Sequence, residues 1–216
     1  MKTTFSNSRD EQAQQELRSL FIHIPKAAGS SLSSPAWNRG NGHDTVADFD
    51  HRIELSPDLW VWAFVRNPFD RIACAYEDCP EVFDECPTFD SFIERIWNHR
   101  ENLEEMSFAR WAGNHRLGLP VGRIHFLPQE LLLKDLRGRF RPDFVGRFEN
   151  LQADFDRVAD YLGQTRETLP HKNSRQGKHR RRFSPLRDLY KSKITRARVE
   201  EIYRRDLERW NYKLEL

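Results

Sequence analysis

The sequence predicts an α/β fold in which a central parallel sheet is flanked by helices. Two apolar runs, LFIHI at residues 20–24 and LWVWAFV at 59–65, are short and continuous, as buried parallel strands are. Each is followed by small or polar residues and then by a segment of helical character. With 216 residues, including 15 Phe and 6 Trp, the chain can build a real core. We expect a single domain over residues 19–216, preceded by a polar leader, loosely docked or disordered, over 1–18.

Composition and charge narrow the class of protein. No apolar run approaches the ~20 residues of a membrane span, and residues 1–18 lack the apolar region of a signal peptide. The cysteines, Cys74, Cys79 and Cys86, form no C-x-x-C pair, which favours reduced thiols in a cytosol over disulfides or structural zinc. Residues 170–216 carry 15 basic against six acidic side chains, so they call for an anionic partner. Charge alone leaves a nucleotide, an acidic glycan and nucleic acid open.

The first strand ends at Pro25 and leads into a loop of small residues. Residues 23–31 read HIPKAAGSS, and a helix is predicted from about residue 29 to residue 37. A strand, a tight loop and a helix N-terminus aim backbone N–H groups at a phosphate-like anion. Lys26 adds a positive charge, and Ser30 and Ser31 add donors. The loop lacks the G-x-x-x-x-G-K-[ST] pattern of a Walker A site, which argues against ATP.

The second strand, 59–65, has Arg66 at its C-terminal end, where open parallel sheets bind their ligands. Asn67 can cap a following helix and Pro68 suits its first turn, so a helix is predicted to about residue 78. Because Lys26 and Arg66 follow neighbouring strands, we expect them to hold opposite ends of one anionic ligand.

These two segments resemble the donor-binding segments of sulfotransferases that use PAPS (3′-phosphoadenosine 5′-phosphosulfate). Residues 23–31 are similar to the loop that holds the 5′-phosphosulfate, which in the carbohydrate branch (heparan 2-O-, chondroitin-like and bacterial enzymes) reads roughly I-P-K-T-[AG]-[GS]-T-S. Residues 65–76, VRNPFDRIACAY, resemble V-R-[ND]-P-x-[DE]-R-[LI]-x-S-x-Y, whose Arg and Ser bind the 3′-phosphate. The resemblance implies donor-binding roles for Lys26, Ala27, Gly29, Ser30, Ser31, Arg66 and Cys74.

Cys74 departs from the family pattern, which has Ser at this position. A thiol is a weaker donor than a hydroxyl, so one phosphate contact is reduced or lost. The loss of one such hydrogen bond costs about 0.5–1.5 kcal/mol, which would weaken donor binding without abolishing it.

The resemblance also implies a catalytic base. Residues 42–49 read GHDTVADF. In similar bacterial enzymes a His opens the segment after the first helix, in the pattern H-x-[ST]-x-x-[ED]-[IL], and His43 fits the position of that His. His43 would take the proton from an acceptor hydroxyl, while Lys26 would stabilise charge on the departing phosphate oxygen. His51 is a second candidate, as a base or a substrate contact.

The remaining elements follow the same family order. Helices are predicted over 88–117, with aromatic residues as their core face, and a short strand over 124–127. Gln129, in a Pro-Gln pair that relatives carry near the acceptor side, is a predicted substrate contact. Residues 144–151, FVGRFENL, resemble a strand-to-helix junction in which Phe148 either stacks on adenine or is a buried strand end. A helix with one apolar face is predicted to follow, to about residue 162.

The C-terminal part contains a basic loop and a final helix. Residues 169–182, LPHKNSRQGKHRRR, resemble a segment that closes over the donor, so Ser174 and Arg175 are candidate ligands of its phosphate; a solvated charge run is the alternative. One helix is predicted near the C-terminus, and residues 203–212, YRRDLERWNY, resemble the closing Y-x-x-D-L-x-x-[FW]-[GN]-Y of bacterial members.

The resemblance covers about residues 20–212 and implies a P-loop-like three-layer sandwich. It further implies an enzyme that moves a sulfuryl group from PAPS to a hydroxyl of a carbohydrate or glycolipid, releasing PAP and needing no metal. The lack of an apolar span and the cysteine pattern favour a cytoplasmic, bacterial-type member of the family. A non-catalytic PAPS- or glycan-binding relative remains the alternative, with Cys74 as a first sign of decay. A nucleotide kinase is disfavoured by the loop. A nucleic-acid binder, which we do not expect, would rest on residues 172–182 alone.

Overall fold

Three parallel strands form the centre of the part of the chain that the structure describes. The structure is a computed structural model, and it describes residues 19–29, 31–32, 44–78, 86–103, 123–169 and 184–215. The strands β1 (Ser19–Ile22), β2 (Trp60–Val65) and β3 (Phe144–Arg147) lie in the order β1-β2-β3. Ile22 is in register with Ala63, and Val65 with Arg147, so the carboxyl ends of the strands meet at one edge.

Helices connect and cover these strands. The α-helices are α1 (Asp50–Leu55), α2 (Pro68–Asp78), α3 (Phe89–Asn98), α4 (Gln129–Leu132), α5 (Leu151–Tyr161), α6 (Leu186–Leu189), α7 (Lys193–Ile202) and α8 (Arg204–Trp210). Short 3-10 helices span Val46–Phe49, Arg100–Asn102, Arg123–His125 and Phe148–Asn150. The predicted helices after β2 and after β3 are confirmed with nearly the expected bounds. As predicted, Asn67 caps α2, since its side chain accepts a hydrogen bond from the backbone of Phe69.

Alternate residues of the strands pack on opposite faces of the sheet and build two apolar clusters. On one face, Val61, Ala63 and Val65 of β2 pack with residues of α2, α3, α7 and α8. On the other face, Trp62 and Phe64 pack with Phe21 and with the apolar side of α5. A sheet buried on both faces explains why its central strand reads as a continuous apolar run. The predicted α/β fold with a central parallel sheet is therefore confirmed.

The strand predicted over residues 124–127 is wrong, because residues 124 and 125 belong to the 3-10 helix Arg123–His125 and residues 126 and 127 form a turn and a bend. The backbone carbonyls of this segment bond to side chains instead of a neighbouring strand: the Arg71 guanidinium donates to Ile124 and Leu127, and the Tyr203 hydroxyl donates to Phe126. An apolar run of four residues satisfies a strand pattern equally well, and only these long-range donors decide against it.

Two further predictions agree with the structure only in part. The final helix is divided at Tyr203 into α7 and α8. Of the helix predicted over 29–37, residues 29, 31 and 32 lie in a turn or bend, and the rest lies outside the described residues, as does the leader. Among the helices that are described, none is both long and apolar enough to cross a membrane.

We expect Gly146→Ala to destabilise the sheet strongly. A Cβ at this position of β3 would lie 2.4 Å from Cε1 of Phe64, a ring that is fully buried. Overpacking against a ring that has no room to move should lower the free energy of unfolding by about 3 kcal/mol, measured by urea denaturation. Gly138→Ala is the matched control, since nothing lies within 4 Å and only its φ of +76° opposes a side chain, at a cost of about 1 kcal/mol. Equal losses in the two variants would contradict the packing argument.

Candidate functional site

The loop after β1 is a strained turn. Lys26 has φ 65° and Ala28 has φ 78°, the left-handed region that residues with a Cβ rarely adopt, whereas Ala27 between them does not. Such an alternation of positive and negative φ is found in turns whose consecutive N–H groups converge on an anion. The turn is closed by hydrogen bonds from the backbone of Ala27 to Ile24 (3.3 Å) and of Ser31 to Ala28 (2.8 Å). Strain of this kind persists only where surrounding contacts impose it.

Gly29, in the same turn, lies against the side chain of His23. A Cβ at Gly29 would lie 1.5 Å from Nε2 of His23, so no larger residue fits without moving the imidazole. The imidazole itself is half-buried and stacks on Phe21, with ring centroids 6.1 Å apart. The small residues of the loop therefore let it pass close to the end of β1.

Lys26 and Arg66 meet at the carboxyl edge of the sheet. Nη1 of Arg66 donates a hydrogen bond to the backbone oxygen of Lys26 at 3.2 Å, which joins the residue after β2 to the turn after β1. Arg66 is nearly buried, and its side chain is 10% exposed. The expectation that both cations lie at one edge, derived from their positions after neighbouring strands, agrees with this contact.

Each of the two cations is paired with a carboxylate of α2. Nζ of Lys26 lies 3.0 Å from Oδ2 of Asp78, and Nε of Arg66 donates to Oδ2 of Asp70 at 2.6 Å. Nη2 of Arg66 also contacts that carboxylate. The four side chains together carry no net charge, so an anionic ligand would have to compete with at least one acid for its cation.

Cys74 joins this group one turn before Asp78. Its thiol donates to Oδ2 of Asp78 at 3.5 Å. Burial raises the pKa of the Cys74 thiol; Arg66 opposes this shift, and the Asp78 carboxylate adds to it. The thiol therefore stays protonated near neutral pH, and it is a weak donor close to both cations.

The ring of Phe148 lies beneath the guanidinium of Arg66, with Cζ 4.2 Å from the ring centroid. Phe148 is half-buried and opens the 3-10 helix Phe148–Asn150 at the end of β3. The contact is a cation–π interaction, which orients the guanidinium. Stacking of Phe148 on adenine stays a prediction.

Arg71 fixes two segments that border this site, a role that the sequence did not indicate. It is 1% exposed, and its Nε and Nη1 donate to the backbone oxygens of Pro25 (2.9 Å) and Leu127 (2.8 Å). Burial lowers the pKa of Arg71, and the neighbouring Tyr203 and Asp206 oppose that shift. The available signal was a basic residue among the apolar positions of α2, but nothing local indicated what it binds.

Gln129 is buried with its side chain against the backbone of Arg66, a position that does not fit the substrate contact expected for its Pro-Gln pair. Its side chain is fully buried, accepts a hydrogen bond from the backbone N–H of Arg66 (2.9 Å) and donates to the backbone oxygen of the same residue (2.9 Å). Its backbone N–H donates to Oδ2 of Asp206 at 2.8 Å. With its amide used in this way, Gln129 supports Arg66 from within the protein.

The C-terminal segment also reaches this edge of the sheet. Glu149 accepts hydrogen bonds from the backbone N–H of Asn67 (2.7 Å) and from the hydroxyl of Tyr212 (2.8 Å). The side chain of Asn67 donates to the backbone oxygen of Lys213 at 2.8 Å. The start of α2 is thus fixed by residues 82 and 146 positions later in the chain.

Several predicted site residues are not part of this arrangement. His43, Ser30, Ser174 and Arg175 lie outside the described residues, so their roles stay predictions. His51 lies exposed on α1. Among the described residues, no group of His, Cys, Asp or Glu side chains could hold a metal ion.

Comparison with protein families finds a match over nearly the whole chain. A family model described as "Sulfotransferase family" matches residues 14–213, a range that includes every site residue discussed above. Comparisons with curated proteins and with solved structures find no match.

We expect Asp206→Asn to change how stability depends on pH. Burial raises the pKa of Asp206 from 3.8 to about 6, against the hydrogen bonds from the Glu130 and Gln129 backbones. The folded state therefore holds this proton more tightly than the unfolded chain, so the contribution to stability is full below pH 4 and is lost as the pH rises through 6. The wild type should exceed the variant in unfolding free energy by up to ~3 kcal/mol more at pH 4 than at pH 7. Urea denaturation at both pH values measures this, and a difference independent of pH would contradict it.

Proposed function

The chain belongs to the sulfotransferase family, and from this premise we propose that it transfers the sulfuryl group of PAPS to a hydroxyl of a carbohydrate-type acceptor. Family membership supports sulfuryl transfer in general; the donor, the acceptor and the base are our proposal. The observation that carries it is the contact between Arg66 and the backbone of Lys26, since it joins two cationic positions of the donor motifs in one cluster.

The residues present fit an anionic nucleotide. The strained turn can offer converging N–H groups, with Lys26 beside them, to one anionic end. Arg66 and the Cys74 thiol would hold the 3′-phosphate, and Phe148 would lie against adenine. Ser30, Ser31 and, from the basic segment, Ser174 and Arg175 would add donors. PAPS supplies an activated sulfuryl group on its 5′-phosphate, so the protein needs to bind, orient and stabilise charge.

His43 is the proposed general base, which takes the proton from the acceptor hydroxyl as that oxygen attacks sulfur in line. Lys26 leaves Asp78 and stabilises the negative charge on the departing phosphate oxygen. Positioning and electrostatics account for most of the catalysis, as in phosphoryl transfer, because little covalent chemistry is required of the side chains.

The acceptor class and the compartment are inferred more indirectly. The loop at residues 23–31 is most similar to the carbohydrate branch, which supports a carbohydrate or glycolipid hydroxyl as acceptor. As part of the same proposal the enzyme works in a bacterial cytoplasm, and the free thiols of Cys74 and Cys86 support a reducing compartment.

A second candidate is a non-catalytic relative that binds PAPS or a glycan. Cys74 in place of the family Ser and the carboxylates that neutralise Lys26 and Arg66 both weaken the donor site, and they favour this reading over an active enzyme. Incubation with radiolabelled PAPS and a panel of glycans separates the two, because only the enzyme yields a product heavier by one sulfate. A missing rise in melting temperature with millimolar PAP would overturn the enzyme and the PAPS-binding form of the second candidate, and it would leave only the glycan-binding form.

We expect His43→Ala to abolish sulfuryl transfer and to leave PAP affinity nearly unchanged, because the base acts on the acceptor and not on the nucleotide. Initial rates with PAPS and calorimetric titration with PAP measure the two effects. His51→Ala is the control and should retain activity. Loss of activity in His51→Ala, with activity kept in His43→Ala, would reverse the assignment.

We expect Asp78→Asn to tighten PAP binding by about two- to fivefold, because Lys26 no longer has to leave a carboxylate. Calorimetric titration at constant ionic strength measures the effect. Asp160→Asn is a matched control, since it also removes one negative charge from an exposed ion pair, with Arg166, near the far end of α5. An equal gain in the two variants would show a general charge effect and would contradict competition for Lys26.

A further inference from the structure

We propose that Gln129 and Asp206 are positioning residues for donor binding: they fix the backbone of Arg66 so that its guanidinium is held ready for the 3′-phosphate of the nucleotide. This inference rests on the proposed function, because it assigns to these two residues the placement of a donor-binding arginine. Neither residue touches the donor in this view, and both act through Arg66.

The Gln129 side chain bonds to the backbone of Arg66 as a neighbouring strand would. The sheet ends at Val65, which is the last residue of β2 paired with β3. The next residue, Arg66, has its backbone N–H and C=O bonded to the two ends of the Gln129 amide, each at 2.9 Å. Both backbone groups of Arg66 are thereby fixed where the strand ladder no longer reaches them.

Asp206 reinforces the orientation of the Gln129 amide that the backbone of Arg66 already favours. Its Oδ2 accepts from the backbone N–H of Gln129 (2.8 Å) and from Nε2 of the same residue (3.3 Å). Its Oδ1 accepts from the backbone N–H of Glu130 at 2.9 Å. An ionised carboxylate is only an acceptor, so Nε2 must face it and Oε1 is left for the N–H of Arg66. A flipped amide would place Nε2 against the N–H of Arg66, and Oε1 against both the Asp206 carboxylate and the backbone oxygen of Arg66.

Burial of Gln129 and Asp206 costs folding free energy that apolar side chains at the same positions would not cost. Both side chains are fully buried, and burial raises the pKa of Asp206 to about 6. Apolar side chains of similar volume often stabilise a core as well as a buried charge does. Because burial of Gln129 and Asp206 costs free energy, their position next to Arg66 is better explained by the placement of the Arg66 backbone than by stability alone.

Placement of the backbone matters because the Arg66 side chain is held from several sides. Its guanidinium contacts the Asp70 carboxylate, the backbone oxygen of Lys26 and the ring of Phe148. Displacement of the Arg66 backbone would change all three contacts together. The C-terminal helix α8, which carries Asp206, is thus linked through Gln129 to the donor site.

The test compares PAP binding in Gln129→Met, Arg66→Ala and the double variant, by calorimetry at a temperature where each variant is folded. Gln129→Met should weaken PAP binding by about tenfold. Because Gln129 acts only through Arg66, the double variant should bind PAP within about twofold of Arg66→Ala. Tyr190→Phe is the structural control: it removes a buried hydrogen bond to the backbone oxygen of Phe69 in α2, and it should lower the melting temperature without changing PAP affinity.

Gln129→Glu provides a second, nearly isosteric variant. A protonated glutamic acid can replace the amide, whereas an ionised one repels Asp206 and the backbone oxygen of Arg66. PAP affinity relative to the wild type should therefore improve as the pH falls from 8 to 6. A ratio that does not change with pH would overturn the inference, even if Gln129→Met does not fold.

The two proposals fail in different ways. If the wild type does not bind PAP, or if Arg66→Ala binds it as well as the wild type, the proposed donor site is wrong and the inference falls with it. If Arg66→Ala binds weakly but folded Gln129→Met binds like the wild type, only the role of Gln129 and Asp206 is overturned.

Discussion

The buried guanidinium of Arg71 is the interaction on which the rest of the candidate site depends. It is held by backbone carbonyls of two separate segments, the turn that carries Lys26 and the segment of residues 124–127 that precedes Gln129. Neither segment is part of the sheet, so neither is fixed by strand pairing. A buried cation needs several acceptors to compensate for lost hydration, and these carbonyls supply them. The same contacts bring the backbone of Lys26 and the side chain of Gln129 to the end of β2, where both bond to Arg66.

A second constraint is electrostatic. Lys26 and Arg66 each have a carboxylate partner from the helix that follows Arg66, so the cluster carries no net charge in the absence of an anion. This arrangement avoids the repulsion between two cations that share one edge of a sheet. It also means that binding of an anion exchanges one partner for another, so the net gain in affinity is smaller than the sum of the new contacts. The positive φ of Lys26 is a further source of strain that the surrounding contacts must offset.

Much of the fold could be predicted from the sequence, because its signals are local. The continuous apolar run of β2 indicates a strand buried on both faces, and Asn67 with Pro68 indicates the start of α2. The proximity of Lys26 and Arg66 followed from one general rule about parallel strands. The roles of Arg71, Gln129 and Asp206 could not be predicted, because each depends on a partner 46 to 77 residues away in the chain. The motif that contains Gln129 indicated an important residue, but not whether it faces a ligand or the core. The assignment of His43 stays a prediction.

The last helix and the residues after it have a practical consequence. Asp206 lies in α8, and Tyr212 and Lys213 bond to Glu149 and Asn67 beside Arg66. In primary structure these positions look like a tail that could be trimmed or fused to an affinity tag. In the folded protein they lie beside Arg66 at the carboxyl edge of the sheet, next to the candidate site. Purification handles and truncations for crystallisation are therefore better placed elsewhere on the molecule.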